Sequence, residues 1–443
     1  MRRPRFRSLA GGAAGIAAGV IGGVVLTSVS AAVPTPAAAV PPLIDATHVP
    51  PALTIPGAPV RLRYGLVCTP REDGLPCDGS GVAYLRAGQS GPFRPYTLRR
   101  GEESKDGRYY LDVPQALADS PDGFSYYAIL RDDTTGATIT VPSGGADAPQ
   151  ISLPLQHPTT IALGSHVFGD VRPPDAYAAE AAWGSGDDNV GLTGSRELGY
   201  TGPSSFDVEP DGTVDILDSV NGRVVRLSRG HREHVPLDGA LELADFAAEP
   251  DGSFDVLDEH GTLRTFRSDG TSKWAQKLAD RTWAKLVHGP SVLQQPSEQW
   301  MPVAEGGVPL TRNEQRRHGH TANHGLIVDR VGEGELRLAE VRGNSLVRGW
   351  RITSDTPLGE VQLAEPYGNG AVVVTRTYTE DRDEFVALVL GSRGLVQRLS
   401  VASDSWTETA PLGRFRLARG ALYRLRTTPA GASVDRFDLE VPQ

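Results

Sequence analysis

Short runs of alternating apolar and polar residues recur along the chain from about residue 60 onward. Residues 60–66 read VRLRYGL, and similar runs lie at 81–85, 109–113, 124–130 and 138–141. Because successive side chains of a β-strand point to opposite faces, each run predicts a strand with one buried face. Strands this short and closely spaced predict a small antiparallel β-sandwich over residues 59–150.

A longer unit repeats in the second half of the chain. Residues 206–218 read FDVEPDGTVDILD, and residues 246–258 read FAAEPDGSFDVLD, 40 positions later. Each copy predicts a strand, a tight Asp-Gly turn and a second strand, and a third strand follows at 223–227 or 262–266. Three strands at this period are typical of a β-propeller blade.

Alternating runs continue after the two copies, without the Pro-Asp-Gly turn. They form the pairs 326–329 with 335–339, 370–375 with 385–390, and 414–417 with 421–425. At about 40–45 residues per blade, residues 178–443 predict a propeller of about six blades. The predicted fold class is therefore all-β, a small antiparallel β-sandwich followed by this propeller. The alternative is that the two copies lie within another all-β fold.

The stretch from Gly202 to Leu227 resembles an NHL repeat, and the WGSG sequence at 183–186 matches the usual lead-in of that family. The resemblance covers two repeats and implies an NHL-like propeller of the secreted bacterial type, preceded by an immunoglobulin-like sandwich. In that family the turn after the second strand lies on the face that usually carries ligands. The resemblance therefore implies candidate ligand contacts at Asp218, Asn221, Arg223, Asp258 and His260.

Equivalent positions of two repeats should face the same environment. Phe206 and Phe246 share one position and are predicted to be buried between blades. Asp207 and Ala247 share the next position, and the difference in polarity predicts that this position is less completely buried.

The N-terminal residues 1–39 have the pattern of an export signal. Four arginines precede residue 8 without an acidic residue, and a run rich in Gly, Ala and Val extends over 9–26. Cleavage would give a secreted or extracellular protein with no membrane segment, and an uncleaved anchor is the alternative. Residues 40–58, rich in Pro and Ala, predict a flexible segment, and residues 151–177 predict a linker before the propeller.

The chain is acidic, with 44 Lys and Arg against 54 Asp and Glu and a net charge of −10. Removal of the four N-terminal arginines with the signal leaves −14. An acidic surface repels phosphate groups, so nucleic acid is excluded as a partner.

The chain has two cysteines, Cys68 and Cys77, separated by a turn-rich stretch. An exported protein meets an oxidising environment, so we predict a disulfide between them. A metal or redox site would need a CxxC spacing or further ligands.

Few motifs point to chemistry. His318, His320 and His324 could ligate a metal, but they follow a polar stretch with two arginines and predict a solvated loop. The chain has no Gly-x-Ser-x-Gly elbow, P-loop or His-Glu-x-x-His sequence, and we predict no cofactor and no metal.

The predicted function is a secreted, non-catalytic binding module. Its propeller face would bind an extracellular or cell-envelope protein or a carbohydrate. The alternative, a metal-dependent propeller lyase or hydrolase with its site in the central channel, leaves the question of catalysis open.

Overall fold

The structure is a computed structural model, and it describes most of the chain after residue 43. The described residues are 44–68, 78–101, 107–228, 230–238, 244–249, 251–258, 260–278, 285–287, 292–294, 300–302, 304–305, 308–309, 325–342, 345–408 and 411–443. Cys77 and the histidines at 318, 320 and 324 lie outside them, so the predictions made for these residues stay predictions. No helix in the described ranges is long and apolar enough to span a membrane.

The first ten strands form the predicted β-sandwich of two sheets. Their bounds are β1 Ile44–His48, β2 Leu53–Thr54, β3 Arg61–Cys68, β4 Gly79–Ala87, β5 Arg94–Thr97, β6 Arg99–Arg100, β7 Arg108–Asp112, β8 Phe124–Asp132, β9 Thr138–Val141 and β10 Gln150–Pro154, with a short helix α1, Gln115–Ala118, after β7. One sheet has the order β1-β3-β7-β6 and the other β2-β10-β8-β4-β5, with β9 beside β8. Alternate residues of β3 are buried, as the sequence pattern predicts.

The remaining strands form the propeller. Their bounds are β11 Thr159–Ala162, β12 Ala176–Ala182, β13 Thr193–Ser195, β14 Gly199–Thr201, β15 Ser205–Val208, β16 Val214–Asp218, β17 Arg223–Ser228, β18 His231–Pro236, β19 Asp245–Ala248, β20 Phe254–Leu257, β21 Thr262–Phe266, β22 Ser272–Lys277, β23 Lys285–Val287, β24 Val292–Gln294, β25 Trp300–Pro302, β26 Ala304–Glu305, β27 Val308–Pro309, β28 Leu326–Val331, β29 Glu335–Arg342, β30 Ser345–Thr353, β31 Leu358–Tyr367, β32 Gly370–Tyr378, β33 Asp383–Gly391, β34 Gly394–Ala402, β35 Phe415–Ala418, β36 Ala421–Thr428 and β37 Gly431–Asp438.

These strands form six blades within the described part of the chain. The first blade is β15–β18, the second β19–β22, the third β23–β25, the fourth β28–β30 with β11, the fifth β31–β34 and the sixth β35–β37 with β12. The first strands of neighbouring blades contact each other, from β15 to β19, from β19 to β23 and from β31 to β35. Because β35 also contacts β15, the sixth blade returns to the first, and the blades form a ring. The all-β fold class is thus confirmed.

Apolar side chains fill the gaps between blades. Phe206 and Ile216 of the first blade share one cluster with Tyr423 and Val434 of the sixth. Phe246 belongs to the next cluster, between the first and second blades. The sheet of the first blade therefore buries both of its faces, and such a blade is not stable alone.

Two blades are completed by strands from the predicted linker and its end. β11 pairs in parallel with β30 at the outer edge of the fourth blade. β12 pairs antiparallel with β37 and supplies the outer strand of the sixth blade. The segment 163–175 between them crosses the outer strand of the fifth blade, where Arg172 N donates to Ser400 O at 2.8 Å. Residues 159–177 of the predicted linker therefore contribute to the propeller itself, whereas residues 151–154 belong to β10 of the sandwich.

The sandwich contacts the fourth blade through β2. Leu53 N donates to Asp329 Oδ2 at 2.9 Å, and Leu53 O accepts from Arg337 Nη1 at 2.9 Å. Leu53 and Leu155 also pack with Ala339 of β29. Buried polar and apolar contacts thus hold the two parts together.

Both of the repeat positions compared in the sequence, that of Phe206 and Phe246 and that of Asp207 and Ala247, are buried. Phe206 and Phe246 are 0% exposed, as predicted. Asp207 is also 0% exposed and Ala247 is 2% exposed, so the prediction of a less buried position is wrong. The reason is that the inner face of β15 meets the other innermost strands, where Asp207 Oδ2 accepts from Ala248 N at 2.8 Å.

Candidate functional site

The turn between β16 and β17 carries three of the predicted ligand contacts. Asp218 is fully buried, and its Oδ1 accepts from Gly191 N at 2.9 Å and from Asn221 N at 3.2 Å. Its Oδ2 accepts from Arg223 Nε at 3.0 Å and from Asn221 Nδ2 at 2.7 Å. The structure therefore brings Asp218, Asn221 and Arg223 together in one hydrogen-bonded group.

This group holds the lead-in loop at 184–191 against the first blade. Arg223 Nη2 donates to Gly186 O at 2.7 Å and to Asn189 O at 2.9 Å. Asn221 Nδ2 donates to Gly184 O at 3.1 Å. The side chains of this turn are thus engaged inside the protein, and their role as ligand contacts stays a prediction.

The equivalent turn of the second blade is closed more locally. Asp258 Oδ1 accepts from His260 N at 2.9 Å and from Thr262 N at 2.8 Å. Arg264 lies farther away, with Nη2 3.9 Å from Asp258 Oδ2. His260 and Asn221 are exposed, whereas Asp218 and Arg223 are buried and Asp258 is half-buried.

A buried arginine links the innermost strands of three blades. Arg416 Nη2 donates to Asp245 Oδ1 at 2.9 Å, to Ser205 Oγ at 3.2 Å and to Phe246 O at 2.7 Å. Burial acts to lower the pKa of Arg416, but Asp245 and Asp207 outweigh it and raise that pKa above its usual value. The cation therefore connects the first, second and sixth blades.

Two buried carboxylates, Asp207 and Asp245, lie beside the Arg416 cation, so this group of three side chains carries no net positive charge. Within the described ranges, no group of three His, Cys, Asp or Glu side chains is suited to hold a metal ion.

Three aromatic side chains gather where the sixth blade meets the first. The Tyr200 and Trp406 rings are stacked, with centroids 4.7 Å apart and an interplanar angle of 15°. Trp183 lies 5.8 Å from Trp406, and its Nε1 donates to Thr428 O at 3.0 Å. All three rings are half-buried. We call this group the aromatic cluster.

The aromatic cluster lies on the same side of the ring as the turn at 218–222. Trp183 is bonded to the β36–β37 turn, and the adjacent Gly184 is bonded to Asn221. We call this side the loop face. Leu198, at the tip of the β13–β14 hairpin that carries Tyr200, is 86% exposed.

A groove of about 670 Å³ lies on the outer side of the fifth blade. One wall is the outer strand β34, and the other is the crossing segment 163–175; the lining residues are Ser165, His166, Val167, Asp170, Val171, Arg172, Pro173, Gln397, Arg398, Leu399 and Ser400. The volume lies within the range of small-molecule sites.

His166 fastens the crossing segment to the fifth blade. Arg398 Nη2 donates to His166 Nδ1 at 3.0 Å, so the ring proton is on Nε2, which donates to Glu384 Oε2 at 2.7 Å. Glu384 Oε1 accepts from Gly169 N at 2.6 Å. These buried groups satisfy one another, so they position the wall of the groove.

No family model and no curated protein matches the chain. Similar solved structures include BamB from Moraxella catarrhalis, with 13% identity and a TM-score of 0.29 over 56% of this chain and 86% of that one. A catalytically inactive virginiamycin B lyase from Staphylococcus aureus with quinupristin has 8% identity and a TM-score of 0.34, covering 56% and 98%. A luciferin-regenerating enzyme has 9% identity and a TM-score of 0.34, and the match covers 57% of this chain and 96% of that one. These values support no functional inference.

Sequence patterns missed the aromatic cluster and the groove. Trp183 and Trp406 are far apart in the chain, and each lies in a loop rather than in an alternating run. The two walls of the groove are also distant in sequence. The Trp in the WGSG lead-in was the one local signal, because a large aromatic residue in a loop needs a partner to pack against.

Proposed function

We propose that this chain is a secreted, non-catalytic binding module whose propeller presents its loop face to a protein or carbohydrate ligand. The observation that carries the proposal is the aromatic cluster of Trp183, Tyr200 and Trp406. Aromatic rings offer a large contact area at low cost in conformational entropy, and they dominate many binding surfaces.

The aromatic cluster is held in place by contacts within the protein. The indole of Trp183 is held by Thr428 O, and the chain around Tyr200 is held by Glu408 N, which donates to Tyr200 O at 3.0 Å. The rings also stack on one another. A preorganised surface loses little freedom on binding, which favours affinity.

The finer features of the proposal have support in the sequence. Export is supported by the arginine-rich start and the small-residue run that follows it. An NHL-type propeller is supported by the repeat copies at 206–218 and 246–258. A disulfide between Cys68 and Cys77 suits an exported chain.

The test is binding of a panel of soluble oligosaccharides and purified envelope proteins, followed by tryptophan fluorescence. We expect a saturable change with at least one ligand, and Trp406→Ala should weaken binding by roughly tenfold or more. Trp274→Ala is the matched control, because Trp274 is half-buried on an outer strand away from the cluster. An equal loss of ligand affinity in both variants, or no loss of affinity in Trp406→Ala, would refute the proposal.

A further inference from the structure

Arg414 immediately precedes β35 and lies over an aromatic ring of the fifth blade. Its guanidinium carbon is 4.9 Å from the centroid of Phe385, which is 2% exposed. Phe385 is itself held edge-on against Phe415, with centroids 5.1 Å apart. The ring therefore supports one face of the guanidinium and leaves its N–H edges to other partners.

The acidic groups around Arg414 are engaged with other residues. Asp383 Oδ2 accepts from Arg376 Nε at 3.0 Å, and Glu360 Oε2 accepts from Gln362 Nε2 at 3.0 Å. Among the residues that the structure describes, the Arg414 guanidinium forms no hydrogen bond and no ion pair. This separates Arg414 from Arg416, whose guanidinium is bonded to four oxygens.

The surroundings make this position unfavourable for an uncompensated cation. Burial and the nearby Arg424 lower the pKa of Arg414 to about 10, against the opposite effect of Asp383 and Glu360. The side chain is still charged at neutral pH. None of its nitrogens is among the buried polar atoms that lack a partner, so a ligand can reach the N–H groups from solvent.

We infer that Arg414 anchors a site for a single carboxylate group of a ligand, at the boundary of the fifth and sixth blades. A planar guanidinium can donate two parallel hydrogen bonds to a carboxylate. Asp383 and Glu360 lie near enough to repel further negative charge, which disfavours a doubly charged phosphate. The inference uses a different observation from the aromatic cluster and does not depend on it.

The test is the thermal midpoint of unfolding of the full chain at equal ionic strength in chloride, acetate and phosphate. We expect acetate to raise the midpoint above its value in chloride, and phosphate to raise it less. Two matched pairs of compounds identify the source of the carboxylate. Glucuronate is compared with glucose to test a sugar acid, and N-acetylalanine is compared with its amide to test the C-terminal end of a peptide. In at least one pair, the acid alone should stabilise the protein.

Arg414→Leu should abolish the acetate effect, and Arg414→Lys should weaken apparent acetate binding about tenfold, since it loses the planar fork. Arg393→Gln is the charge control, because Arg393 is exposed and should leave the acetate effect unchanged. In chloride alone, Arg414→Leu should not lower the midpoint, because it removes an unpaired cation. Equal stabilisation of wild type and Arg414→Leu, no acetate effect, a stronger effect of phosphate, or a clear loss of stability for Arg414→Leu in chloride would each overturn the inference.

Discussion

The first and second blades share one sequence repeat but are held in place by different forces. Both have a Phe at 0% exposure and a glycine at positive φ in the Asp-Gly turn, Gly212 at 97° and Gly252 at 81°. Their polar positions differ. In the first blade Asp218 and its partners bind a neighbouring loop, whereas in the second Asp258 closes its own turn. The apolar positions thus encode the blade, and the polar positions encode its attachment to neighbours.

A second contrast lies at one cross-strand position. Asp215 is paired with Arg226, whose Nε lies 3.0 Å from Asp215 Oδ1 and whose Nη2 also donates to Glu209. Asp255 is paired with Thr265, whose hydroxyl donates to its carboxylate. The first blade uses an ion pair where the second uses a neutral donor.

The largest expected effect tests what the blades share. Phe206→Ala and Phe246→Ala should each lower the free energy of unfolding by about 3–5 kcal/mol, because both rings are buried between sheets. Urea unfolding of both variants measures this, and Leu198→Ala, at a position 86% exposed, should change it by less than about 0.5 kcal/mol. Clearly unequal losses for the two Phe variants would show that the blades are not equivalent in their packing.

The next effect tests the turns that differ. Asp218→Ala should cost about 3 kcal/mol, because it leaves the buried Arg223 without its carboxylate. Asp258→Ala should cost about 1 kcal/mol, because it removes only bonds to backbone N–H groups of a half-exposed turn. Thermal melting compares the two variants, and Glu197→Ala serves as the control for loss of an exposed acidic side chain. Similar losses at both turns would remove this part of the contrast.

A smaller loss of stability is expected when Asp207 of the first blade is replaced by alanine, the residue at the equivalent position of the second blade. Asp207→Ala should cost about 2 kcal/mol, because the buried N–H of Ala248 loses its acceptor. Asp207→Asn keeps an acceptor and should cost less. Chemical unfolding of both variants is the measurement, and an unchanged stability in Asp207→Ala would mean that another acceptor replaces the carboxylate.

The smallest effect concerns pH. Burial raises the pKa of Asp215 from 3.8 to about 7, although Arg226 acts to lower it. A carboxyl whose pKa is higher in the folded state stabilises that state while protonated, and this contribution is lost as pH rises from 3.8 to about 7. Wild type should therefore lose stability relative to Asp215→Asn by about 1 kcal/mol between about pH 6 and about pH 7.

Urea unfolding of wild type and Asp215→Asn at both pH values gives the required difference. The other acidic groups make the same contribution to the pH dependence of stability in both proteins, so their effect cancels in the difference. A wild type that gains stability relative to Asp215→Asn as pH rises would show that the ion pair with Arg226 keeps the carboxylate charged.

Local sequence patterns predicted the strands well, because each depends on residues close in the chain. The Asp211-Gly212 turn is an example, since Asp211 Oδ1 accepts from Thr213 N at 2.8 Å and the glycine provides the positive φ. The same patterns placed Asp207 wrongly, because they do not show that Arg416 and the innermost strands enclose it. The candidate sites depend on side chains that only the closed ring brings together.

The strand β12 has a consequence for how the protein is made. Its neighbour Asp175 binds Asp438 N, a residue 263 positions later in the chain. At about 5–20 residues per second, a ribosome needs on the order of tens of seconds to make the partner strand after β12. Throughout that time β12 has an unpaired edge, and the ring is open. The ring can therefore close only after the C-terminal strand has been made, and until then the free edge of β12 can pair with other strands.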